Sequence, residues 1–412
     1  QKTAYEIRPR DWSSDVCSSD LLVFTNIGFQ HPKVVAAIQR QAAELTTIAP
    51  QHANEARGEA AKRITARAGK HHNKVFFTNG GADAVENAIR MARLHTNRHK
   101  ILSFYRSYHG NTTSAIASTG DPRRWPNEYA FGHIHFFGPY LYRSPFWAST
   151  EEEECKRALE HLEQVIIFEG PNTIAAILIE SVVGTAGVII PPAGYLEGVR
   201  ALCDKYGIKW IADEVMAGFG RTGKWFAYQH SSAEPDLIVF AKGVNSGYVP
   251  LGGVIISDEI AKTFDDRVFP GGLTYSGHPL ACAAAVATLD AMAEEKIVEN
   301  AADMGERVIK PLIHELMAKH KVIGKVRGRG VFWALDLVKD RTTREPLAPY
   351  GGTSPAMAEL VGACKKLGLM PFTNYNRMHI CPPCNVSEAE LREGFAILDQ
   401  AFSAISSHYT GN

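Results

Sequence analysis

Two short apolar segments of the sequence each end in a charged side chain. Residues 236–241 lead into Lys242, and residues 210–212 lead into Asp213. Apolar runs of this length are typical of strands that are buried on both faces of a parallel sheet. Ligands of such sheets bind just beyond the carboxyl ends of the strands. We therefore expect the two strands to deliver an amine and a carboxylate to the same crevice.

An amine beside a fixed carboxylate supports a particular chemistry. Desolvation destabilises the ammonium form of a lysine at the end of an apolar strand, so its amine is nucleophilic near neutral pH. A pyridoxal phosphate site requires such a lysine and an acid that faces the pyridine nitrogen. Either residue alone could be structural, with Lys242 reaching solvent and Asp213 capping a loop. The pair favours the cofactor site.

Composition and charge argue against several classes of function. The chain has 412 residues, 45% of them apolar, with 44 basic and 44 acidic side chains. This balance disfavours a nucleic-acid partner or an anionic membrane.

The seven cysteines form no disulfide pattern, which favours the cytoplasm. The Cys381-Pro-Pro-Cys384 segment lacks the partners of a zinc site and is interpreted as a rigid turn, so no metal is expected. Residues 173–190 are interrupted by Glu180 and two glycines, and we interpret them as a buried strand and loop instead of a membrane span.

The order of the predicted elements indicates an α/β fold. Strands alternating with helices predict a mainly parallel sheet with helices on both faces. The strands are predicted at 22–26, 74–78, 100–104, 174–180, 210–215, 237–241 and 252–257, and the helices at 32–45, 55–68, 84–92, 151–168, 195–206 and 280–292. Beyond residue 305, helices at 308–319, 355–367 and 388–405 and strands around 330–337 and 378–380 predict a smaller α+β domain.

Four segments are expected along the chain. Residues 51–305 form a large cofactor-binding domain, while residues 22–50 and 306–412 form the two parts of a small domain. Residues 11–21 have neither helical nor strand periodicity and resemble the in-frame translation of a sequencing-library adapter. Residues 1–21 are therefore predicted to be an artefactual segment, unrelated to the fold.

Two strand ends and one long loop add candidate binding residues. Gly81 and Ala82 lie where a strand meets a helix, and their N–H groups could approach a phosphate; a plain tight turn is the alternative. Tyr108 follows the next strand and could stack on a flat ring or only cover the sheet edge. Glu180 again ends an apolar strand with an acid. Residues 121–150 form a long aromatic loop, which usually lines a site or an interface.

Taken together, these motifs resemble those of the class III pyridoxal-phosphate-dependent aminotransferases, which have the fold called fold type I. The resemblance covers residues 22–405, and its most specific part is Asp213-Glu-Val, Gly218-Phe-Gly-Arg-Thr-Gly and Ala241-Lys-Gly. It implies that Lys242 binds the cofactor covalently and that Asp213 pairs with the pyridinium nitrogen. The other cofactor contacts that it implies are Gly81 and Ala82 at the phosphate, Tyr108 and Val215 on the two ring faces, His109 and Glu180 beside the cofactor, and Thr274 from a partner subunit.

The resemblance also implies a reaction and an assembly. An amino group would pass from a donor to pyruvate or a similar 2-oxo acid by a ping-pong mechanism, in a homodimer with shared active sites whose pairing into tetramers is left open. Met216 stands where ornithine- and GABA-type members carry glutamine, which favours the ω-amino acid or amine:pyruvate branch, including taurine:pyruvate-like enzymes. Arg377 or Arg143 could bind the acid group of the substrate, with Tyr140 as a further candidate; either arginine could instead be a surface charge. An aminomutase, an epimerase and an inactive cofactor-binding protein are the alternatives.

Overall fold

Two β-sheets organise residues 23–411, the part of the chain that the computed structural model describes. The larger sheet contains β1 (Lys74–Thr78), β2 (Lys100–Phe104), β3 (His133–Phe136), β4 (Ile174–Glu180), β5 (Lys209–Asp213), β6 (Leu237–Phe240) and β7 (Gly252–Ile256). The smaller sheet contains β8 (Ile323–Arg329), β9 (Phe332–Asp340), β10 (Glu345–Pro346), β11 (Phe372–Asn374) and β12 (Arg377–Ile380).

Twelve α-helices flank these sheets within residues 23–411. They are α1 (Pro32–Glu44), α2 (Glu55–Thr65), α3 (Gly81–Thr96), α4 (Thr113–Ser118), α5 (Glu151–Glu169), α6 (Tyr195–Tyr206), α7 (Asp258–Lys262), α8 (Pro279–Glu294), α9 (Ile297–Asp303), α10 (Lys310–Lys319), α11 (Pro355–Lys366) and α12 (Glu388–Ala404). A π-helical segment, Met304–Ile309, joins α9 to α10. Among the described residues, no helix has both the length and the apolar character needed to cross a membrane.

The larger sheet has the strand order β1-β7-β6-β5-β4-β2-β3. Its neighbouring strands pair in parallel from β6 to β3, whereas β7 is antiparallel to both β6 and β1. Only a short loop joins β6 to β7, too short for the helical crossover that a parallel connection needs. The prediction of a mainly parallel α/β sheet is confirmed, with β7 as the exception.

Two local predictions differ from the structure. Residues 23–26, predicted as part of a strand, form turns, and the Asn26 amide donates a hydrogen bond of 2.6 Å to the carbonyl of Phe219. The aromatic loop at 121–150 contains β3, which pairs in parallel with β2. Its four residues, His-Ile-His-Phe, do alternate polar and apolar side chains, but a run of four is the shortest from which a strand can be inferred, and it lies within a loop dense in aromatic residues. The predicted artefact at 1–21 lies outside the described residues.

One apolar core is shared by the helices and strands on both sides of residue 305. It extends from Ile27 through Leu102 on β2 to Ile405 after α12, all three of which are buried. All seven residues of β4 and all four of β6 are buried as well, as expected for strands covered on both faces. The division of the chain at residues 50 and 305 stays a prediction.

The Gly218–Gly223 turn has a structural role that its motif alone does not reveal. Arg221 is fully buried, and its guanidinium donates hydrogen bonds to the carbonyl of Pro382 and to Asn26 Oδ1, the latter at 2.8 Å. The N–H of Cys384 in turn donates to the carbonyl of Asn26 at 2.7 Å. Both cysteines of this Pro-Pro turn are buried. Arg221 therefore ties three distant segments of the chain together.

Replacing Arg221 with methionine is expected to lower the free energy of unfolding by about 3 kcal/mol. The substitution leaves two buried acceptors without a donor, and each such loss costs about 1–3 kcal/mol. Denaturant unfolding of the protein measures the change. Arg307→Met on the exposed side of the π-helical segment serves as the control. Equal stabilities for the two variants would contradict this role of Arg221.

Candidate active site

Three neighbouring segments bring Lys242, Asp213 and Glu180 to one cavity of about 200 Å³. Glu180 ends β4, Asp213 ends β5, and these two residues are directly opposite each other in the sheet. Lys242 follows β6 after one intervening residue, with a left-handed backbone (φ 44°) that is unusual for a side chain other than glycine. The parallel register thus explains why two acids and an amine meet at the same edge.

Burial changes the acid–base properties of two of these groups. It lowers the pKa of Lys242, although the negative charges of Asp213 and Glu180 oppose that change. Burial, followed by the charge of Asp213, raises the pKa of Glu180 to about 7. The N–H groups of Gly184 and Tyr108 donate to the Glu180 carboxylate at 2.7 and 3.1 Å. A neutral, nucleophilic amine is therefore favoured at Lys242.

Asp213 is held in place by a buried histidine. Nδ1 of His109 lies 2.7 Å from Asp213 Oδ2, and the N–H of Val215 donates to Oδ1 at 3.0 Å. The backbone N–H of His109 donates to Thr119 Oγ1 at 3.0 Å. Nε2 of His109 is buried and has no hydrogen-bond partner among the described residues. These contacts fix the orientation of the carboxylate that faces the cavity.

Two glycines allow the start of α3 to approach the cavity wall. A Cβ on Gly81 would lie 3.1 Å from both methyl groups of Val215. A Cβ on Gly110, whose φ is 133°, would lie 2.6 Å from the Cβ of Ala82. Gly81 and Ala82 are the first two residues of α3, and N–H groups in that position have no acceptor within the helix. They are available to an anion such as a phosphate.

Replacing Gly110 with alanine is expected to weaken pyridoxal phosphate binding by about tenfold or more. The added Cβ would overlap Ala82 and force the loop away from α3, at a cost of about 1–3 kcal/mol, and tenfold corresponds to about 1.4 kcal/mol. Titration of the apoprotein with the cofactor, followed by absorbance, gives the affinity. A Cβ on Gly58 in α2 would meet nothing within 4 Å, so Gly58→Ala is the matched control. The same affinity in both variants would contradict this steric argument.

Arg123 is a member of the site that the sequence did not reveal. Its guanidinium lies 3.6 Å from the ring centroid of Tyr108, and it is ion-paired with Asp121. Its positive charge also contributes to the lowered pKa of Lys242. The signal in the sequence is weak, because Asp121-Pro-Arg-Arg reads as the polar start of an aromatic loop.

The three predicted substrate residues lie together in a second cavity of about 180 Å³, which we call the arginine pocket. It is lined by Arg106, Tyr140, Arg143, Ala186, Asp336, Pro346, Tyr350, Asn376 and Arg377. Ala186 lines this pocket, while the preceding residue, Thr185, lines the Lys242 cavity. The two cavities are therefore neighbours. Arg106 is the lining arginine that sequence reasoning missed, since a lone arginine between a strand and a glycine has no distinctive pattern.

Thr274 is the one predicted cofactor residue that a single chain does not bring to the site. It is exposed on the loop between α7 and α8 and does not line the Lys242 cavity. Ser276 on the same loop donates a hydrogen bond of 2.7 Å to the carbonyl of Phe77 at the end of β1. The loop is therefore anchored to the sheet with its tip facing outward.

The residues of the Lys242 cavity fit pyridoxal phosphate. The cavity offers an amine for the aldehyde, a carboxylate for the ring nitrogen, and helix N–H groups for the phosphate. Val215 and Tyr108 supply surfaces for a flat ring. His109 Nε2, buried and without a partner among the described residues, is a further polar contact that a ligand could satisfy.

Comparisons with known proteins agree with this geometry. The family described as Aminotransferase class-III matches residues 15–402. The chain is 32% identical to the taurine–pyruvate aminotransferase of Bilophila wadsworthia over 93% of this chain and 87% of the relative. It is 36% identical to the 5-aminovalerate aminotransferase of Pseudomonas aeruginosa over 92% of this chain and 87% of that protein.

A solved structure is similar over nearly the whole chain. The taurine:2-oxoglutarate aminotransferase of Bifidobacterium kashiwanohense, in complex with pyridoxal phosphate and glutamate, superimposes with a TM-score of 0.92. The two sequences are 44% identical, and the match covers 95% of this chain and 89% of the other. The chain therefore belongs to the class III aminotransferases of fold type I and is an enzyme of that class with pyridoxal phosphate as its cofactor.

Proposed function

We propose that this aminotransferase moves an amino group from an ω-amino acid, a taurine-like donor or an amine to pyruvate or a similar 2-oxo acid by a ping-pong mechanism. The observation that carries the proposal is the position of the arginine pocket next to the Lys242 cavity. An ω-amino acid carries its acid group several bonds away from its amine, so the two ends need separate cavities. The taurine and 5-aminovalerate specificities of the two relatives support this donor class.

The chain's own residues have distinct proposed roles. Lys242 would hold the cofactor covalently, and once displaced by the donor its Nζ would take the proton from the donor's reacting carbon and deliver it, as an acid, to the cofactor carbon that had carried the lysine. Burial favours the neutral amine that this step requires. Asp213, oriented by His109, holds a proton at the pyridine nitrogen. When bound, pyridoxal phosphate stabilises the negative charge that develops on the substrate carbon. Glu180 fixes the backbone at the edge of the cavity, because its carboxylate accepts hydrogen bonds from the N–H groups of Tyr108 and Gly184.

The remaining proposed contacts complete the cofactor site. Gly81 and Ala82 hold the phosphate through backbone N–H groups, and Val215 and Tyr108 cover the two ring faces. Thr274 contributes to the phosphate site of a partner subunit, so we propose a homodimer with shared active sites. Its exposed position within a single chain supports that assignment. Cys155, Cys203, Cys282, Cys364 and Cys384 are free thiols, which supports a cytoplasmic location.

The absorbance of the cofactor-loaded protein tests this function. Taurine, β-alanine and 1-phenylethylamine are added in turn, and pyruvate is added after each donor. We expect one of the first two donors to bleach the yellow absorbance of lysine-bound cofactor and pyruvate to restore it. Isomerisation of a donor without any 2-oxo acid would instead indicate an aminomutase or epimerase. Retention of the yellow absorbance with every donor would contradict the proposal.

A further inference from the structure

We infer that Arg123 is a positioning residue of the active site, because its guanidinium stacks on the ring of Tyr108 and holds that ring against the cofactor. Arg123 is not one of the proposed cofactor contacts, and it acts on the cofactor only through Tyr108. The inference rests on the proposed contact between Tyr108 and the cofactor ring, and it explains how the protein builds that contact.

The guanidinium covers the face of Tyr108 that is turned away from the Lys242 cavity. It lies 3.6 Å from the centroid of the Tyr108 ring, well within the distance at which a cation is attracted to an aromatic face. Tyr108 lines the cavity, whereas Arg123 is not among the described residues that line it. The ring therefore has a cation on its outer face and presents its inner face to a flat ligand.

A buried carboxylate fixes the orientation of the guanidinium. Asp121 is 7% exposed, and its carboxylate accepts hydrogen bonds from Nε of Arg123 at 3.0 and 3.1 Å and another from Nη2. The same carboxylate accepts a hydrogen bond of 3.0 Å from the backbone N–H of Arg123. Planar pairing with a carboxylate restricts a guanidinium to one orientation. This pairing keeps the plane of the Arg123 guanidinium over Tyr108.

Backbone hydrogen bonds hold the two stacked side chains at a fixed separation. The N–H of Gly120 donates to the carbonyl of Ser107 at 3.0 Å, and the N–H of Arg106 donates to the carbonyl of Gly120 at 3.0 Å. A Cβ on Gly120 would lie 2.7 Å from the backbone nitrogen of Arg106, so this close approach requires glycine. The segment that carries Arg123 is thus paired with the segment that carries Tyr108.

The charge of Arg123 also acts on the amine of the site. Burial lowers the pKa of Lys242, and among the charged groups that face it Asp213 and Glu180 raise this pKa, whereas Arg123 lowers it further. His109 lies against Asp213, with its Nδ1 2.7 Å from the carboxylate. The Arg123 side chain is 44% exposed, so solvent screens part of its charge. We therefore expect the stack to have the larger effect and the charge the smaller one.

A double-mutant cycle on cofactor affinity tests the stack. The apoprotein is titrated with pyridoxal phosphate and followed by absorbance, a measurement that needs no turnover. We expect Arg123→Met to weaken binding by about fivefold in the unaltered background and by less than about twofold in a Tyr108→Leu background, where the cation has no ring to stack on. Arg124→Met is the matched control, because the Arg124 guanidinium is paired with Glu128 instead of stacking on Tyr108.

The pH dependence of the cofactor-loaded enzyme tests the charge. The yellow absorbance of lysine-bound cofactor is replaced by near-ultraviolet absorbance when the lysine nitrogen loses its proton. Removal of a nearby positive charge favours the protonated form, so the midpoint of this change should move to higher pH in Arg123→Met. We expect the midpoint to stay near that of the unaltered enzyme in Arg123→Lys and Arg124→Met. A purely structural role for Arg123 would not move it in this direction.

The outcomes separate this inference from the contact on which it rests. Equal cofactor affinity for Arg123→Met and Arg124→Met, or an effect of Arg123→Met that persists without the Tyr108 ring, would overturn the inference alone. Unchanged affinity in Tyr108→Leu would contradict the proposed contact of Tyr108 and the inference with it. If Arg123→Met does not fold, Arg123→Lys, which keeps the charge but lacks the planar group, carries the same cycle. Both readouts are independent of the amino donor, so failure of the proposed donor class leaves them interpretable.

Discussion

Lys242→Ala is expected to lower the turnover of every amino donor by about a thousandfold or more. In the proposed mechanism two contributions are lost together, because the same amine binds the cofactor and moves the proton at the substrate carbon. General acid–base catalysis alone contributes about 10²–10⁴-fold. Burial lowers the pKa of Lys242, and no other described residue that lines the cavity carries an amine. Product formation with the best donor and 2-oxo acid, measured at saturating cofactor, gives the effect.

The comparison with a second lysine isolates the role of the amine. Lys262 is exposed at the end of α7, and Lys262→Ala should keep the activity of the unaltered enzyme. A small amine such as methylamine should restore part of the activity of Lys242→Ala, because it can act as a base in the space left by the side chain. Full activity of Lys242→Ala would remove this lysine from the mechanism.

The sequence predicted those parts of the molecule in which local pattern and tertiary role coincide. The apolar runs at 174–179 and 237–240 are strands because continuous burial on both faces leaves no polar position in them. The proximity of Lys242 and Asp213 could be predicted from the sequence, because the carboxyl ends of neighbouring parallel strands lie at the same edge of a sheet. These inferences depend only on which strands are neighbours in the sheet, and β4, β5 and β6 are consecutive neighbours in the structure.

Other parts of the site depend on contacts between residues that are distant along the chain. Arg106 and Arg377 are 271 positions apart by their numbering and face the same pocket only after the smaller sheet packs against the larger one. Arg221 looks like part of a catalytic motif, yet its partners Pro382 and Asn26 show that it joins segments of the fold. Thr274 does not line the Lys242 cavity of a single chain, so its proposed role requires the proposed dimer.

Asp213→Asn is expected to reduce turnover by about a hundredfold or more, within the range for loss of one positioned acid–base group. Asparagine has nearly the same shape, so Val215 can still donate to its side-chain oxygen. What is lost is the negative charge proposed to face the cofactor ring nitrogen, together with the carboxylate oxygen that lies 2.7 Å from His109 Nδ1. That charge also raises the pKa of Lys242 against the effect of burial, so the pKa of Lys242 should fall further in the variant.

The neighbouring acid provides a control of the same chemistry. Glu214 is fully buried and accepts hydrogen bonds of 2.8 Å from the N–H groups of Ala227 and Tyr228, and it does not line the Lys242 cavity. Burial raises its pKa to about 7, so a neutral side chain is already accessible there. The Glu214→Gln variant should therefore retain most of the turnover of the unaltered enzyme, although this substitution also removes a buried carboxylate. Similar losses in Asp213→Asn and Glu214→Gln would mean that buried charge in general, and not the position of Asp213 at the cofactor, supports activity.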